Sequence, residues 1–269
     1  MKTVTICSDD FGQNSAINRG ILDLVALGRL QAVTVFSESS GWLQDGSELL
    51  EHQSSIDIGI HLNLTEALEK GPPLGSLNTL LIKSHLRLIA RKQVKNLLRQ
   101  QIDSFTQKAK RLPDFLDGHQ HVHAFPVISS VLIELIHEYW PEHRNLYVRN
   151  SSRVDLREDG YLVKKMILRQ ACSSLTQQLK QAGIQSPPHF AGVYDFDSSI
   201  NFGTLFKVWL ESCANQTLFM CHPSAPGSND SLSAARLNEY RYLSSPEFAT
   251  DCTQHRIKLV PYQQQLNRV

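Results

Sequence analysis

Thr3-Val4-Thr5-Ile6-Cys7-Ser8-Asp9-Asp10-Phe11-Gly12 begins as an apolar, β-branched run and ends in two adjacent carboxylates and a glycine. Neighbouring acids at the end of a buried strand repel each other and lose hydration, so a fold keeps them there chiefly when a cation or a reaction uses them. A solvated turn or a helix N-cap is the ordinary alternative, because acids are favoured at helix starts. Three further apolar runs decide between these readings. Asp57-Ile58-Gly59-Ile60 ends in His61, Leu218-Phe219-Met220-Cys221 ends in His222, and Phe115-Leu116 leads into Asp117-Gly118-His119-Gln120-His121-Val122-His123.

Outward from the first run, short strand-like stretches alternate with longer helical patterns, which is the mark of βα units around a parallel sheet. Thr3 to Cys7 is followed by a helix with Ile17, Ile21, Leu24 and Val25 on one face, capped by Asn14 or Ser15 and closed by Gly28. Strands are expected at 32–36, 56–64, 115–116, 146–148, around Val193, at 218–221 and at 257–260. Helices are expected at 43–52, 84–111, 127–139, 161–181, 205–213 and 234–243. The Gly71-Pro72-Pro73-Leu74-Gly75 stretch reads as a long loop, of the size that serves as a lid or substrate wall in compact enzymes or else forms a disordered surface excursion. With no internal repeat or linker, residues 1–269 are expected to form a single catalytic domain. The expected fold class is α/β, with the parallel strands forming a (β/α) barrel or a doubly wound sheet.

The chain's 27 Lys+Arg nearly cancel its 26 Asp+Glu, so no overall field gathers nucleic acid or anionic membrane. Arg87, Arg91, Lys92, Lys95 and Arg99 line one helix face, but no aromatic platform or groove-reading motif accompanies them, and a solvated face is expected. The apolar run after Met1-Lys2 is far shorter than a signal peptide's, and no stretch reaches transmembrane length, so a cytoplasmic location is expected. The scattered cysteines Cys7, Cys172, Cys213, Cys221 and Cys252 form no Cys-x-x-Cys motif and are expected to pack as small apolar residues.

Loops that follow the strand C-termini of a parallel barrel lie on one face, so Asp9-Asp10, His61, Asp117-Gly118-His119, Arg149 and His222 should meet there. An aspartate and histidines from separate strands suit an open, catalytic metal site. If the segment were extended, His119, His121 and His123 would point the same way, with at least one a ligand and the others orienting it. Asp117 could accept a hydrogen bond from a ligand, and Arg149 could hold Asp9 ionised or contact a substrate. His85, His137, His143, His189 and His255 read as surface or packing residues.

The ordered set Ser8-Asp9-Asp10-Phe11-Gly12, Asn18-Arg19-Gly20-Ile21, Gly59-Ile60-His61-Leu62-Asn63-Leu64-Thr65, Asp117 to His123 and Met220-Cys221-His222-Pro223 resembles the YdjC-like carbohydrate deacetylases, which include chitooligosaccharide deacetylase. The resemblance implies an irregular, TIM-barrel-like (β/α) barrel and metal-dependent removal of acetyl groups from N-acetylated sugars. It implies Asp9 as general base, Asp10, His61 and His119 as ligands of one divalent ion, magnesium or zinc, and His222 as a catalytic histidine. Cys7-Ser8 stand where the family usually has Asn-Ala, and Ser224 where a glycine often follows the late His-Pro. The expected partner is an oligosaccharide or small-molecule substrate, with neither nucleic acid nor membrane, and a homodimer is left open. Two other functions stay open: a metal-dependent phosphoesterase on a barrel, and a carbohydrate-binding protein without catalysis.

Overall fold

The computed structural model describes residues 1–67, 73–142, 145–156 and 159–266. His143 and the Gly71-Pro72 part of the expected loop lie outside the described residues. In chain order the strands are β1 (Lys2–Phe11), β2 (Ala32–Val35), β3 (Asp57–Leu62), β4 (Phe115–Gly118), β5 (Tyr147–Val148), β6 (His189–Ala191), β7 (Thr217–Cys221) and β8 (Ile257–Leu259). The helices are α1 (Ser15–Ala26), α2 (Ser40–Glu51), α3 (Leu77–His85), α4 (Arg91–Ala109), α5 (Pro126–Tyr139), α6 (Leu162–Ala171), α7 (Ser173–Ala182), α8 (Phe202–Ser212), α9 (Ser233–Ser244), α10 (Pro246–Gln254) and α11 (Tyr262–Leu266).

All strand pairs are parallel, in the order β5-β4-β3-β2-β1-β7-β6, with β8 on the opening residues of β1. Side chains alternate between the two faces of the sheet. Val4, Ile6, Val33, Ile58 and Ile60 pack outward against the helices. Cys7, Ala32, Phe115, Tyr147, Phe190, Leu218 and Met220 fill the concave side. There Phe115 stacks on Tyr147 with ring centroids 4.9 Å apart. Burial on both faces explains why the strand middles read as unbroken apolar runs.

The sheet curls but does not close into the expected barrel. Among the described residues no ladder joins β5 to β6; only the isolated bridges Tyr147 to Gln185 and Val154 to Phe190 span the seam. Pro187 and Pro188 immediately precede β6 and supply no N–H, and β5 is two residues long, so neither edge can sustain a ladder. The result is an α/β half-barrel. Its strand-start end is plugged by α11, where Tyr262 packs edge-on against Tyr147 and Gln263 N donates to Asp57 Oδ2. The opposite end, at the strand C-termini, carries the site.

Local chemistry explains most boundaries. Asn14 Oδ1 accepts from Ile17 N and Ser39 Oγ from Trp42 N, capping α1 and α2. The single helix expected at 84–111 is instead α3 and α4, because the chain turns through Arg87 at φ 58° between them. The helix expected at 161–181 breaks at Cys172 into α6 and α7. The basic face of α4 meets acids on α5: Arg91 pairs with Glu134, and Lys95 and Arg99 with Glu138. Trp42, Trp140 and Trp209 are buried, as are all five cysteines. Among the described residues no helix is long and apolar enough to cross a membrane.

Candidate metal centre at the strand C-termini

Adjacent residues on a regular strand point to opposite faces, yet Asp9 and Asp10 both reach the site. The β1 to β2 register shifts between Ser8 and Phe11, and Asp10 adopts φ 69°. Such a bulge re-aims a side chain, and aspartate is among the residues that tolerate this left-handed conformation. Asn18 braces the turn by accepting from Gly12 N at 2.6 Å and donating to Asp45 at 2.7 Å.

Asp10 Oδ1 lies 3.4 Å from His61 Nε2 and 3.2 Å from His119 Nδ1, and the two ring nitrogens are 3.3 Å apart. An ion bound tetrahedrally at ~2.0–2.1 Å separates its ligands by about 3.3–3.4 Å. Asp10 Oδ1 is buried and accepts no hydrogen bond of good geometry, which is costly for a charged oxygen unless a cation completes it. One carboxylate oxygen and two imidazole nitrogens form a donor set that a divalent ion fits.

Each ligand candidate is oriented from behind. Asp117 Oδ1 accepts from His61 Nδ1 at 2.7 Å and from Thr34 Oγ1 at 2.8 Å, which leaves the His61 Nε2 lone pair facing Asp10. Glu66 Oε1 lies 3.0 Å from His119 Nε2 and turns the Nδ1 of that ring inward. Burial alone would depress the His61 pKa, but Asp117 and Asp9 override it and hold the group at about 10. His119 is likewise raised against burial by the adjacent carboxylates of Asp10 and Glu66. The carboxylates therefore demand positive charge, and protons or a metal ion compete for the same nitrogens.

Asp9 sits beside this cluster. Arg149 Nη1 donates to Asp9 Oδ2 at 2.7 Å, while Arg149 Nη2 lies 2.7 Å from Asp117 Oδ2 and 3.0 Å from Cys7 Sγ. Cys7, Asp9 and Asp117 also converge closely enough to hold an ion, but the Arg149 guanidinium already contacts all of them. Arg149 is 1% exposed, so it braces acids and offers no surface to sugar hydroxyls. His222 Nε2 lies 3.6 Å from Asp9 Oδ2, and burial depresses its pKa to about 4.

The triple-histidine segment departs from the extended expectation. His119–Ala124 is a 3-10 turn in which Gln120 and His121 take φ 52° and 61°, so the three rings do not share a direction. Only His119 joins the cluster. His121 Nδ1 lies 3.0 Å from Ser151 Oγ, and His123 Nε2 donates to the Arg149 carbonyl at 2.8 Å. Burial drives the pKa of His121 down and takes that of His123 to about 4.

Sequence reasoning missed Arg236 and Glu239, which look like ordinary helix charges, and gave Glu66 no role beyond a loop. Arg236 Nη2 donates to Asp10 Oδ2 at 2.7 Å. Glu239 Oε1 accepts from Tyr194 Oη at 2.6 Å, its other oxygen accepts the His222 N–H, and burial raises its pKa to about 7. Nothing in the sequence of α9 marks Arg236 or Glu239, since they stand among the apolar and polar residues of an ordinary helix.

A curled parallel α/β sheet with carboxylates and imidazoles gathered at its strand ends places the chain in a recognisable structural class. A family 4 acetyl xylan esterase from Clostridium thermocellum, solved with a cobalt ion, shares the fold at TM-score 0.50 and 10% identity, over 99% of this chain and 91% of that one. A protein from Enterococcus faecalis V583, named for cellobiose-phosphate cleavage, superposes at TM-score 0.71 and 19% identity over 98% of both chains. The chain belongs to the YdjC-like protein family, whose model matches residues 3–254. A carbohydrate deacetylase from Mus musculus is 28% identical over 149 residues, covering 51% of this chain and 47% of that protein. Carbohydrate deacetylase 2 from Listeria innocua is 24% identical over 268 residues, 96% of each. The chain thus spans about half the length of the first curated relatives it matches.

Proposed function

We propose that this chain is a metal-dependent hydrolase that removes acetyl groups from N-acetylated sugars, with chitooligosaccharide-like substrates and residues 1–269 acting as one catalytic domain. The observation that carries the reading is the convergence of Asp10 Oδ1, His61 Nε2 and His119 Nδ1 beside the Arg149-braced carboxylate of Asp9. Relatives named carbohydrate deacetylases support it.

Asp10, His61 and His119 would hold the ion. Bound there, a divalent cation supplies a Lewis acid that polarises the acetyl carbonyl and makes water easier to deprotonate. Two imidazoles and a carboxylate at this spacing favour a transition ion such as zinc over magnesium. Asp9, fixed by Arg149, takes the proton of the attacking water. The C–N bond then breaks, and the departing amine needs a proton. His222 is neutral near pH 7 because its pKa is about 4, so it relays the proton from Asp9, 3.6 Å away, rather than holding one in reserve. Acetate and a free sugar amine are the products. A two-ion phosphoesterase is disfavoured, because the Arg149 guanidinium stands within the second acidic group.

Acetate release from diacetylchitobiose tests the reading. The wild type should release acetate, EDTA should stop it and added zinc or cobalt restore it. Asp9→Asn should lower kcat by ~10²–10⁴-fold while still binding the ion. No acetate from any N-acetylated sugar, with the ion bound, would contradict the proposal.

A further inference from the structure

One helix reaches both halves of the centre. Arg236 and Glu239 lie one turn apart on α9, and both are buried, at 2% and 0% exposure. Arg236 Nη2 holds Asp10 Oδ2 at 2.7 Å and Gln13 Oε1 at 3.0 Å, and its Nη1 lies 3.4 Å from the His222 carbonyl. Arg236 Nε is 3.0 Å from Asp230 Oδ2. Glu239 takes the His222 N–H. The main-chain N–H and C=O of His222 are therefore both gripped from α9, by the same pair that secures Asp10.

A guanidinium buried against a metal-ligand candidate is a costly arrangement, since its positive charge opposes the cation expected a few ångströms away. Its geometry indicates what it does. Asp10 has two oxygens: Oδ2 is taken by Arg236, and Oδ1 is the one that faces His61 and His119 without a hydrogen bond. A free carboxylate can turn and give both oxygens to one ion. The Arg236 fork blocks that turn.

We infer that Arg236 is a positioning residue that restricts Asp10 to one-oxygen ligation, keeping a coordination position free for the substrate carbonyl, while Glu239 on the same helix fixes His222 opposite. The inference rests on the ion-binding reading above. Lysine cannot reproduce Arg236 in full, because one ammonium placed at Asp10 and Gln13 lacks the rigid Nη1 and Nε arms that reach the His222 carbonyl and Asp230 and fix the guanidinium against Asp10.

The visible absorption spectrum of the cobalt-loaded protein reads coordination number directly, since cobalt with more ligands absorbs more weakly. The wild type should show the intense bands of a four- or five-coordinate ion. Arg236→Gln and Arg236→Lys should each weaken and shift those bands as the second Asp10 oxygen joins, whereas Glu239→Gln should leave the spectrum unchanged and lower kcat with little change in KM. If Arg236→Gln does not fold, Arg236→Lys decides. Unchanged bands in a folded Arg236 variant would overturn the inference alone. A wild type that takes up no cobalt would instead defeat the ion-binding reading beneath it.

Discussion

Glu66 accepts the Nε2 proton of His119, and that contact selects which nitrogen of the ring faces Asp10 and His61. Partners of this kind fix a ligand's tautomer, and their loss costs ~10–100-fold in metal affinity. Glu66→Ala should therefore weaken zinc binding by about that factor, measured by competition with a chromophoric chelator, and Glu66→Gln should recover part of it. Unaltered affinity in the alanine variant would show that His119 is oriented some other way. Its role was not legible in the sequence because Glu66 lies in a loop after β3, and only the fold brings it to a histidine 53 residues away. The place of His61 in the cluster was legible, since an imidazole near the C-terminal end of a strand with an apolar middle has few other reasons to be there.

At the scale of elements, the close approach of α1 to the loop after β7 governs where His222 stands. A Cβ on Gly20 would sit 2.4 Å from Ala225 N and 2.8 Å from Ser224 C, and Ala225 N donates to Ala16 O at 3.0 Å across the same contact. Gly20→Ala should cost ~1–3 kcal/mol by urea denaturation, and should lower kcat by displacing the segment that carries His222. Wild-type stability and turnover in that variant would show the loop yields freely. The motif Asn18-Arg19-Gly20 was visible in the sequence, and its reasons are now physical: Asn18 braces the β1 turn, and Gly20 admits the late loop. Strand order along the chain was equally readable from alternating apolar runs. The 3-10 turn at 119–124 was not, because its left-handed Gln120 and His121 leave no pattern in residue type. The helix at 234–243 was readable and is α9, but the burial of its Arg236 and Glu239 was not, because they match the charge pattern of a solvated helix.

Over the whole molecule, the two ends of the half-barrel carry different electrostatics. At the plugged end, burial and neighbouring Asp114 raise the Asp57 pKa to about 7, although Tyr147 Oη and Gln263 N donate to it. A carboxyl raised on folding stabilises the protein fully below its unfolded value of ~3.9, and loses that contribution as pH climbs through 7. The stability of the wild type minus that of Asp57→Asn should thus fall between pH ~4 and pH ~7, by at most ~1.4 kcal/mol per unit, and stay level above it. Equal differences at every pH would mean that folding leaves the Asp57 pKa at its unfolded value. At the open end the acids are met by Arg149 and Arg236, and the proposed ion would meet the rest. Closure of the sheet was the global feature least readable from sequence, because it depends on two short edges and a Pro-Pro step rather than on any apolar pattern. One cation shared by Asp10, His61 and His119 is the central proposal, and an anomalous difference map from a cobalt-containing crystal tests it most directly. A single strong peak should lie ~2.0–2.3 Å from Asp10 Oδ1, His61 Nε2 and His119 Nδ1. A peak away from those atoms, or coordination through fewer than all three side chains, would contradict it.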